Sequence, residues 1–436
     1  MLSRSLPLLL FVAATHGQTI DHNLARQYFD EAHGICSRDA GQLWGKSLCA
    51  PMIFADPRTH TVVANQADAE SRLKPQDGVF SGKLPDEIDI ANTAIEWAGV
   101  HWTMVAWPLP ETPIVRARLM AHELFHRLQD DLGLPAANPG NAHLAKLEGR
   151  IWLQLEWRAL QQALARPEAP AAERRRPIED ALLFRLRRRA LFPKADAEER
   201  QLELNEGLAE YTGYKLRGTA DPATVQTVIA RLDSAGSDTA FARSFAYVSG
   251  PAYGMLLDLA GRPWRAGLTT KSDFGDLLRA AYGIALPSDL KGAADQRMEI
   301  YDGAALRWIE TRHEEQRQAA LDAYRKRLIE GPVLVLPVVS SFHFGFDPNG
   351  VHPLDDNATV YPSLRAGDAW GILEVENGAL MVRENNKFAR IVVEAPKDGD
   401  GKTGEIVGNG WKLTLAEGWV LAKGDRPGDW RAVKRQ

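Results

Sequence analysis

The sequence is poor in cysteine, since only Cys36 and Cys49 occur in its 436 residues. A thiolate zinc site needs further Cys or His ligands close by, so this pair argues against one. In an oxidising compartment such a close pair favours a disulfide. The bridge would close only a short loop, brace the N-terminal region and carry no chemistry. The alternative is a pair of buried free thiols.

Long apolar runs are also lacking. After the first 17 residues no segment is apolar over the roughly twenty residues that a helix needs to cross a bilayer core. An excess of one charge is absent too, because the formal net charge is only -5 and both signs are spread along the chain. Such a surface lacks the extended positive electrostatic potential that would attract nucleic acid or an anionic membrane. We therefore expect a soluble mature protein that neither binds nucleic acid nor inserts stably into membranes.

The first 17 residues have the pattern of a cleavable export signal. Arg4 gives a positive charge, an apolar run extends from Leu6 to Ala14, and small and polar residues follow. Cleavage is expected after Ala14 or after Gly17. A membrane anchor is the alternative, but about nine apolar residues are too few to span a bilayer. The sequence therefore predicts a secreted or periplasmic protein.

The composition changes along the chain and predicts an α+β fold. An N-terminal α/β part precedes a mostly helical middle, and 331–436 contains β-forming runs punctuated by glycine and proline. The clearest early strand covers 102–109, where an apolar run ends at Pro108 and Pro110. Proline cannot donate a hydrogen bond to a neighbouring strand, so this ending favours an edge strand. The chain thus divides into a first domain, 18–330, and a β-rich C-terminal module.

An arginine-rich stretch, 174–189, has two interpretations. It has the charge of a patch that binds polyanions. Apolar residues such as Ile178, Leu182 and Leu186 recur among the arginines, however, which favours an amphipathic helix with a solvated basic face. We adopt the second interpretation.

The spacing of apolar residues predicts a helix over 112–132, with a threonine as N-cap and a glycine after its end. Inside it lies the sequence His122-Glu123-Leu124-Phe125-His126. Two histidines four residues apart project from one face of a helix, so both rings can bind one metal ion. Glu123 can reach a water at the open coordination position without binding the metal itself. The motif therefore indicates a catalytic metal site.

Chance can also produce such a pattern, as a near-match shows. His313 and Glu314 are followed by Arg317 at the position where a second histidine is required. That helix carries no candidate metal site. The first match needs support from a further ligand, because catalytic zinc takes three protein ligands and a water.

A second predicted helix, 195–216, supplies that support. Within its segment from Leu204 to Tyr211, Glu206 and Glu210 stand four residues apart on one face. One carboxylate can bind the metal, and the other can accept the remaining N–H of a ligating histidine, which such sites usually require. The alternative is an ordinary helix with two solvated glutamates.

These two helices resemble those of the gluzincin peptidases, the group that includes thermolysin and the aminopeptidase N family. The sequence from Leu204 to Tyr211 is similar to the NEGxA helix of aminopeptidase N relatives, whose first glutamate is the third zinc ligand. The resemblance implies a zincin-like domain over 18–330 that holds one zinc ion. It also implies that Glu206 is the third ligand and that Glu210 orients a histidine.

The sequence departs from the family in the distance between the ligands. About eighty residues separate His126 from Glu206, more than is typical, so the helices between them would form an insertion. Loop-closure entropy grows only slowly with loop length, which permits such an insertion. Glu206 is the favoured ligand, and Glu210 remains the alternative.

Two further segments fit the same resemblance. In gluzincins an edge strand before the metal-binding helix pairs with the substrate backbone, and 102–109 has that place in the chain. Tyr247-Val248-Ser249-Gly250 resembles the YxKG segment of aminopeptidase N relatives, whose tyrosine stabilises the transition-state oxyanion. Ser249 stands where lysine is usual, so a buried core tyrosine is an equal alternative, and Tyr253 is the second candidate for this role.

The resemblance implies a zinc-dependent peptidase that acts on a peptide or protein substrate. Glu123 would be the general base for the attacking water. No sequence like the GxMEN of aminopeptidases occurs, so exopeptidase action is not supported. Two alternatives stay open: a hydrolase that uses the same metal site on a cell-wall amide, and a non-catalytic exported binding protein.

Overall fold

The computed structural model describes residues 20–435, apart from 86, 239, 347–350, 356 and 386. The predicted export signal, 1–17, lies outside the described residues. The chain divides between Gly303 and Ala304 into two compact units. Helices and strands are both present, and the C-terminal part is β-rich, which confirms the predicted mixture of helix and strand.

The first unit begins with helix α1 (His22–Asp39) and a mixed sheet. The side chain of Asp21 caps α1 by accepting from the backbone N–H groups of Asn23 and Leu24. Buried Ile53, Trp102 and Met104 share one hydrophobic cluster on the sheet. The strands are β1 (Met52–Ala55), β2 (Thr61–Ala64), β3 (Lys74–Gln76), β4 (Val79–Lys83), β5 (Thr93–Trp97) and β6 (Val100–Ala106), in the order β3-β4-β2-β1-β6-β5.

The prediction that 102–109 is an edge strand is wrong. The strand there is β6, which pairs in parallel with β1 on one side and antiparallel with β5 on the other. Pro108 and Pro110 lie beyond the last residue of β6, so they remove no hydrogen-bond donor from it. Among the described strands, β5 forms this edge of the sheet.

The remainder of the first unit is helical. Helix α2 contacts β5 and β6 of the sheet and also contacts α6, so it connects the sheet to the helical part. The α-helices are α2 (Pro113–Leu128), α3 (Leu147–Leu164), α4 (Ala171–Leu191), α5 (Ala195–Leu202), α6 (Leu208–Leu216), α7 (Asp221–Ser234), α8 (Ser244–Leu259), α9 (Phe274–Tyr282) and α10 (Leu290–Arg297).

The helix predicted over 112–132 is α2 followed by a tighter turn. Thr112 is the N-cap, as predicted, and Pro113 lies in the first turn, where its missing N–H costs no hydrogen bond. The α-helical part ends at Leu128, and Asp130–Leu132 forms a separate 3₁₀ turn that Gly133 ends with a φ of 71°. The α-helix is therefore shorter than predicted, because its last turn tightens, as is common at helix C-termini.

The prediction of a solvated basic face in 174–189 holds only in part, because Arg175 and Arg176 are exposed but the arginines further along the helix are wrongly placed in solvent. Arg185 and Arg188 on α4 are buried, with exposed fractions of 1% and 0%. Arg188 donates hydrogen bonds of 2.6 Å to Glu199 and of 2.6 Å to Glu156. These carboxylates neutralise the arginine inside the protein.

Carboxylates from separate segments make this burial possible. Arg185 forms a buried ion pair with Glu203, and Asp273 lies 3.3 Å from the same guanidinium. Burial raises the pKa of Glu199, but Arg188 outweighs that effect and holds it well below its usual range. Arginine forks match carboxylates in geometry, which suits them to such buried pairs. The partners are distant in sequence, so the helix alone does not reveal them.

The second unit contains helix α11 (Gly303–Arg325) and two sheets. Leu336, Trp370 and Leu413 belong to one buried cluster to which strands of both sheets contribute. Leu321 of α11 packs in a second cluster with Val360 and Leu380. Among the described strands, one sheet has the order β17-β18-β7-β14-β13-β10-β9 and the other β15-β16-β12-β11-β8. The strands are β7 (Val333–Pro337), β8 (His343–Phe346), β9 (His352–Pro353), β10 (Ala358–Tyr361), β11 (Leu364–Asp368), β12 (Gly371–Val375), β13 (Ala379–Glu384), β14 (Lys387–Glu394), β15 (Glu405–Gly408), β16 (Trp411–Leu415), β17 (Trp419–Lys423) and β18 (Trp430–Lys434).

Cys36 and Cys49 form the predicted disulfide, with their Cα atoms 5.1 Å apart. The bridge ties α1 to the segment that leads into β1. Over the residues that the structure describes, no helix has both the length and the apolar character needed to cross a membrane.

Candidate metal centre

The two histidines of the motif lie on the inner face of α2. His122 and His126 are one turn apart, and their side chains are 6% and 14% exposed. The Nε2 atoms of the two rings are 3.0 Å apart. The four-residue spacing thus brings both imidazoles to one point, as the sequence predicted.

The outer nitrogen of each ring has an acceptor. His122 Nδ1 lies 3.0 Å from Glu210 Oε2, and His126 Nδ1 lies 2.5 Å from Gln129 Oε1. A carboxylate or amide oxygen only accepts, so each ring donates from Nδ1. When both rings are neutral, the nitrogen that can bind a metal is therefore Nε2 in each ring, and the two Nε2 atoms face each other. This is the orientation that histidine ligands of metal ions require.

Glu206 brings a carboxylate to the same point. Its Oε2 is 3.5 Å from His122 Nε2 and 3.4 Å from His126 Nε2. The three donor atoms lie within 4.8 Å of one another, so His122, His126 and Glu206 can hold one metal ion. Two imidazoles and one carboxylate are a ligand set of catalytic zinc sites. Glu210 instead accepts from His122 Nδ1, on the far side of the ring, and is not one of the three converging donors.

A second group of possible ligands lies at the disulfide. His33 is near Cys36 and Cys49. Both thiols are consumed by the disulfide bond, so this group offers no thiolate to a metal.

The helix predicted over 195–216 changes its hydrogen bonding where Glu206 lies. Between α5 and α6, Glu203–Gly207 forms a wider, π-helical turn, and all five of its residues are buried. Such turns occur often at functional sites because they re-aim side chains within a continuous helix. Here the turn carries Glu206 at the start of the segment that also carries Glu210.

Close backbone packing fixes this turn against α8. A Cβ atom added at Gly250 would lie 2.3 Å from the Cα of Gly207 and 2.5 Å from its carbonyl oxygen. This approach requires glycine at position 250, whereas a Cβ atom at Gly207 would make a tight contact of 3.2 Å with the Cα of Gly250. Tyr247, one turn earlier on α8, consequently reaches Glu206.

Replacing Gly250 with alanine is expected to push α8 away from the turn that carries Glu206. The overpacking should lower the free energy of unfolding by about 1–3 kcal/mol. It should also weaken zinc binding, because Glu206 is displaced from the two histidines. Thermal denaturation and zinc titration of the variant would measure the two effects.

Gly254→Ala is the matched control on the same helix. Its new Cβ would lie 2.3 Å from the Tyr211 ring, and its three nearest neighbours would all be atoms of that ring and not of Gly207. This variant is expected to lose stability while keeping the zinc affinity of the parent. Equal zinc affinity in both variants would show that the glycine contact does not position Glu206.

Glu123 is 3% exposed and lines the same cleft as the three ligands. Its Oε2 has no hydrogen-bond partner among the described residues, which is unusual for a buried carboxylate oxygen. Burial raises the pKa of Glu123, and the neighbouring His122 and His126 offset part of that rise. A buried carboxylate with a raised pKa and a free oxygen is suited to proton transfer.

Tyr247 also reaches the site. Its phenol donates a hydrogen bond of 2.5 Å to Glu206 Oε2, and its ring stacks on His122 with the centroids 5.6 Å apart. Burial, and then the charge of Glu206, raise the pKa of Tyr247, so the phenol keeps its proton. Tyr253, the second candidate, is excluded because it is buried and donates to Glu156 in the arginine cluster.

Two site residues were not found from the sequence. Gln129 holds His126, and its position three residues further along the helix is a local signal that could have identified it. Arg243 donates a hydrogen bond of 2.7 Å to Glu206 Oε1. No sequence spacing relates Arg243 to Glu206, because Arg243 lies just before α8 and Glu206 lies between α5 and α6.

A cleft of about 360 Å³ gives access to these side chains. Its wall combines the charged groups of the site with apolar and amide side chains. The lining residues outside the metal-binding group are Asn92, Pro110, Val115, Arg118, Leu119, Glu123, Glu210, Arg243 and Tyr247.

The charge of His122 predicts how metal binding depends on pH. Burial lowers the pKa of His122, but hydrogen bonds to Glu206 and Glu210 outweigh burial and raise it to about 10. In the metal-free protein the His122 ring therefore keeps its second proton from pH 6.5, where a free histidine would lose it, up to about pH 10. A metal ion must displace that proton to bind Nε2.

We expect zinc binding at pH 7–8 to release about one proton from His122 per ion. The apparent zinc affinity should consequently rise about tenfold per pH unit in this range. Calorimetric titrations in buffers with different ionisation enthalpies would measure the proton number. A binding enthalpy that is independent of the buffer would contradict a protonated His122.

The gluzincin resemblance rests on the residues of two helices and on the segment that begins at Tyr247. The structure brings these residues together around one point. Comparisons of the chain with protein-family models, with curated proteins and with solved structures found no match.

Proposed function

We propose that this chain is an exported zinc-dependent peptidase of the gluzincin type, with a zincin-like domain over 18–330. The observation that carries the proposal is the convergence of His122, His126 and Glu206 within 4.8 Å, beside the buried carboxylate of Glu123. A ligand triad with an adjacent free base is the arrangement that metal-dependent hydrolysis of amides requires.

The residues of the site have separate tasks. A bound zinc ion would supply a Lewis acid that polarises the substrate carbonyl and lowers the pKa of a water molecule. Glu123 accepts a proton from the attacking water and returns it to the leaving amine. Tyr247 keeps its proton and would turn its single O–H from Glu206 to the oxyanion of the tetrahedral intermediate. Glu210 and Gln129 hold the histidines in the tautomer that leaves Nε2 unprotonated.

Strand β5 is the proposed binding edge for the substrate backbone, in place of the 102–109 segment. Asn92, immediately before β5, lines the cleft, and its side chain accepts from the backbone N–H of Ala106. An extended peptide can add to an unpaired strand edge through backbone hydrogen bonds. The position of this edge therefore supports a peptide substrate.

Export is supported by the disulfide between Cys36 and Cys49. Disulfides persist in oxidising compartments such as the periplasm and the extracellular medium. The sequence pattern of 1–17 agrees with this location.

The proposal is tested by assaying the purified protein on unfolded casein and on peptidoglycan fragments. We expect one zinc ion per chain, cleavage of casein, loss of cleavage with a zinc chelator, and recovery when zinc is restored. Cleavage of peptidoglycan amides alone would replace the peptidase by an amidase on the same site. An intact metal site without any hydrolysis would favour a binding protein.

A further inference from the structure

Two arginines line the candidate cleft beside the metal-binding group. Arg118 lies on α2, one turn before His122, and Arg243 lies just before α8. Their side chains are 33% and 62% exposed, so both guanidinium groups are accessible to a molecule in the cleft.

Arg243 is anchored but not saturated. Its guanidinium donates to Glu206 Oε1 at 2.7 Å and to Asn138 Oδ1 at 3.1 Å. A guanidinium carries five N–H donors; these two bonds use two of them, and a third interacts with the Tyr247 hydroxyl. The two anchors restrict the orientation of the group, which lowers the entropy cost of binding a ligand.

Arg118 adds a second positive charge to the cleft. It donates to the Tyr214 hydroxyl at 3.0 Å and lies 3.5 Å from Glu210 Oε1. This arginine is partly neutralised by Glu210. Arg243 is likewise paired with Glu206, but its side chain is 62% exposed against 33% for Arg118, so it has more exposed donor groups.

The charge of the lining determines which ligands it favours. Three carboxylates, Glu123, Glu206 and Glu210, face the two arginines. With a divalent metal ion bound, positive charge in the cleft exceeds negative charge. A low-dielectric cleft strengthens the attraction of such an excess for an anion.

We propose that the cleft selects substrates that carry a carboxylate next to the scissile amide, and that Arg243 binds this carboxylate. The carboxylate is either an aspartate or glutamate side chain or a free C-terminus. Planar bidentate pairing with a carboxylate is the strongest hydrogen-bonding mode of arginine. This inference rests on the proposed peptidase function and specifies its substrate class.

A purely structural role for Arg243 leads to a different expectation. If the arginine only clamps Glu206, removing it lowers the activity on all substrates by the same factor. Recognition of a carboxylate instead changes the ratio between acidic and neutral substrates. The ratio is therefore the informative quantity.

Binding is measured without turnover in zinc-loaded Glu123→Gln protein. Matched peptides carry glutamate or glutamine beside the same amide, and a second pair ends in a free or an amidated C-terminus. In one of the two pairs, we expect the peptide with the carboxylate to bind roughly 10- to 100-fold more tightly than its neutral partner. This is the gain in affinity that a charge-assisted hydrogen bond gives. The pair that shows the difference identifies the source of the carboxylate. Equal affinities in both pairs would overturn the inference.

Substitution of Arg243 then tests whether this residue causes the preference for acidic peptides. In Glu123→Gln protein, the additional change Arg243→Gln should remove the preference, whereas Arg243→Lys should retain part of it because the charge remains. Zinc content is measured alongside, since Arg243 contacts Glu206. Arg262→Gln, at an exposed arginine outside the cleft lining, should leave the preference unchanged. A preference that survives Arg243→Gln would overturn the assignment.

Turnover by the wild-type protein separates this inference from the proposed function. Cleavage of acidic and neutral peptides with equal kcat/KM would overturn the substrate class and leave the peptidase intact. Tight binding of acidic peptides without any cleavage would overturn the peptidase and support the carboxylate site.

Discussion

Replacing Glu123 with glutamine is expected to reduce peptide hydrolysis by about 10²–10⁴-fold, the contribution that general acid–base catalysis typically makes. Glutamine has nearly the same shape but cannot accept the proton of the attacking water. Zinc content and thermal stability should stay close to those of the parent, because Glu123 is not one of the converging ligands. The measurement is kcat on a peptide substrate together with metal analysis of the same preparation.

The chain provides a matched control for this substitution. His313 and Glu314 form the same dipeptide on α11, in the second unit. Glu314 pairs with Arg317 at 2.6 Å. Glu314→Gln should therefore leave kcat unchanged. A Glu123→Gln enzyme that retains full activity would remove the proposed base from the mechanism.

Replacing His126 with alanine is expected to abolish stoichiometric zinc binding and, with it, hydrolysis. The substitution removes one of the three proposed ligands. This should cost more than the roughly 10–100-fold loss of metal affinity that follows when a hydrogen-bond partner of a ligand is removed. Gln129→Leu removes such a partner, since Gln129 holds His126 Nδ1 at 2.5 Å. We thus expect zinc affinity to decrease from wild type to Gln129→Leu and further to His126→Ala.

Competition titrations with a chromophoric chelator would rank these affinities. His313→Ala is the control, because His313 is a helical histidine whose side chain is 56% exposed and lies outside the cleft. Its zinc affinity should equal that of the parent. Undiminished zinc binding by His126→Ala would contradict the assignment of this ligand.

The sequence predicted the parts of the site that depend on local periodicity. His122 and His126 share a face because the helix repeat brings residues four apart together, whatever the rest of the chain does. Spacing alone left Glu206 and Glu210 as candidate ligands, and the family resemblance favoured Glu206. Their distances from the histidines depend on the packing of α2 against α6, which no local pattern reveals. Arg243 had no signal at all, since it reaches Glu206 through tertiary packing.

The fold was predictable to a similar extent. The strand in 102–109 was recognised from its apolar residues, but its neighbours were not. Pairing partners are set by long-range contacts, and the two prolines that suggested an edge lie after the last residue of β6. A local pattern therefore indicated the strand but gave no reliable information on its place in the sheet.

The buried arginines show the same limit for charges. A helix with many arginines normally exposes them, because a buried unpaired charge is strongly destabilising. Arg185 escapes this cost through Glu156 and Asp273, which are 29 and 88 residues away in the sequence. Only the tertiary structure brings these carboxylates to α4, so the expectation of a solvated face failed for the arginines in the second half of the helix.

The most direct test of a zinc centre built from two helical segments is anomalous diffraction at the zinc absorption edge from crystals of the zinc-loaded protein. We predict one peak, with the ion about 2.0–2.2 Å from Nε2 of His122, Nε2 of His126 and a carboxylate oxygen of Glu206. A peak at another location, or a Glu206 side chain directed away from the ion, would contradict the proposed centre.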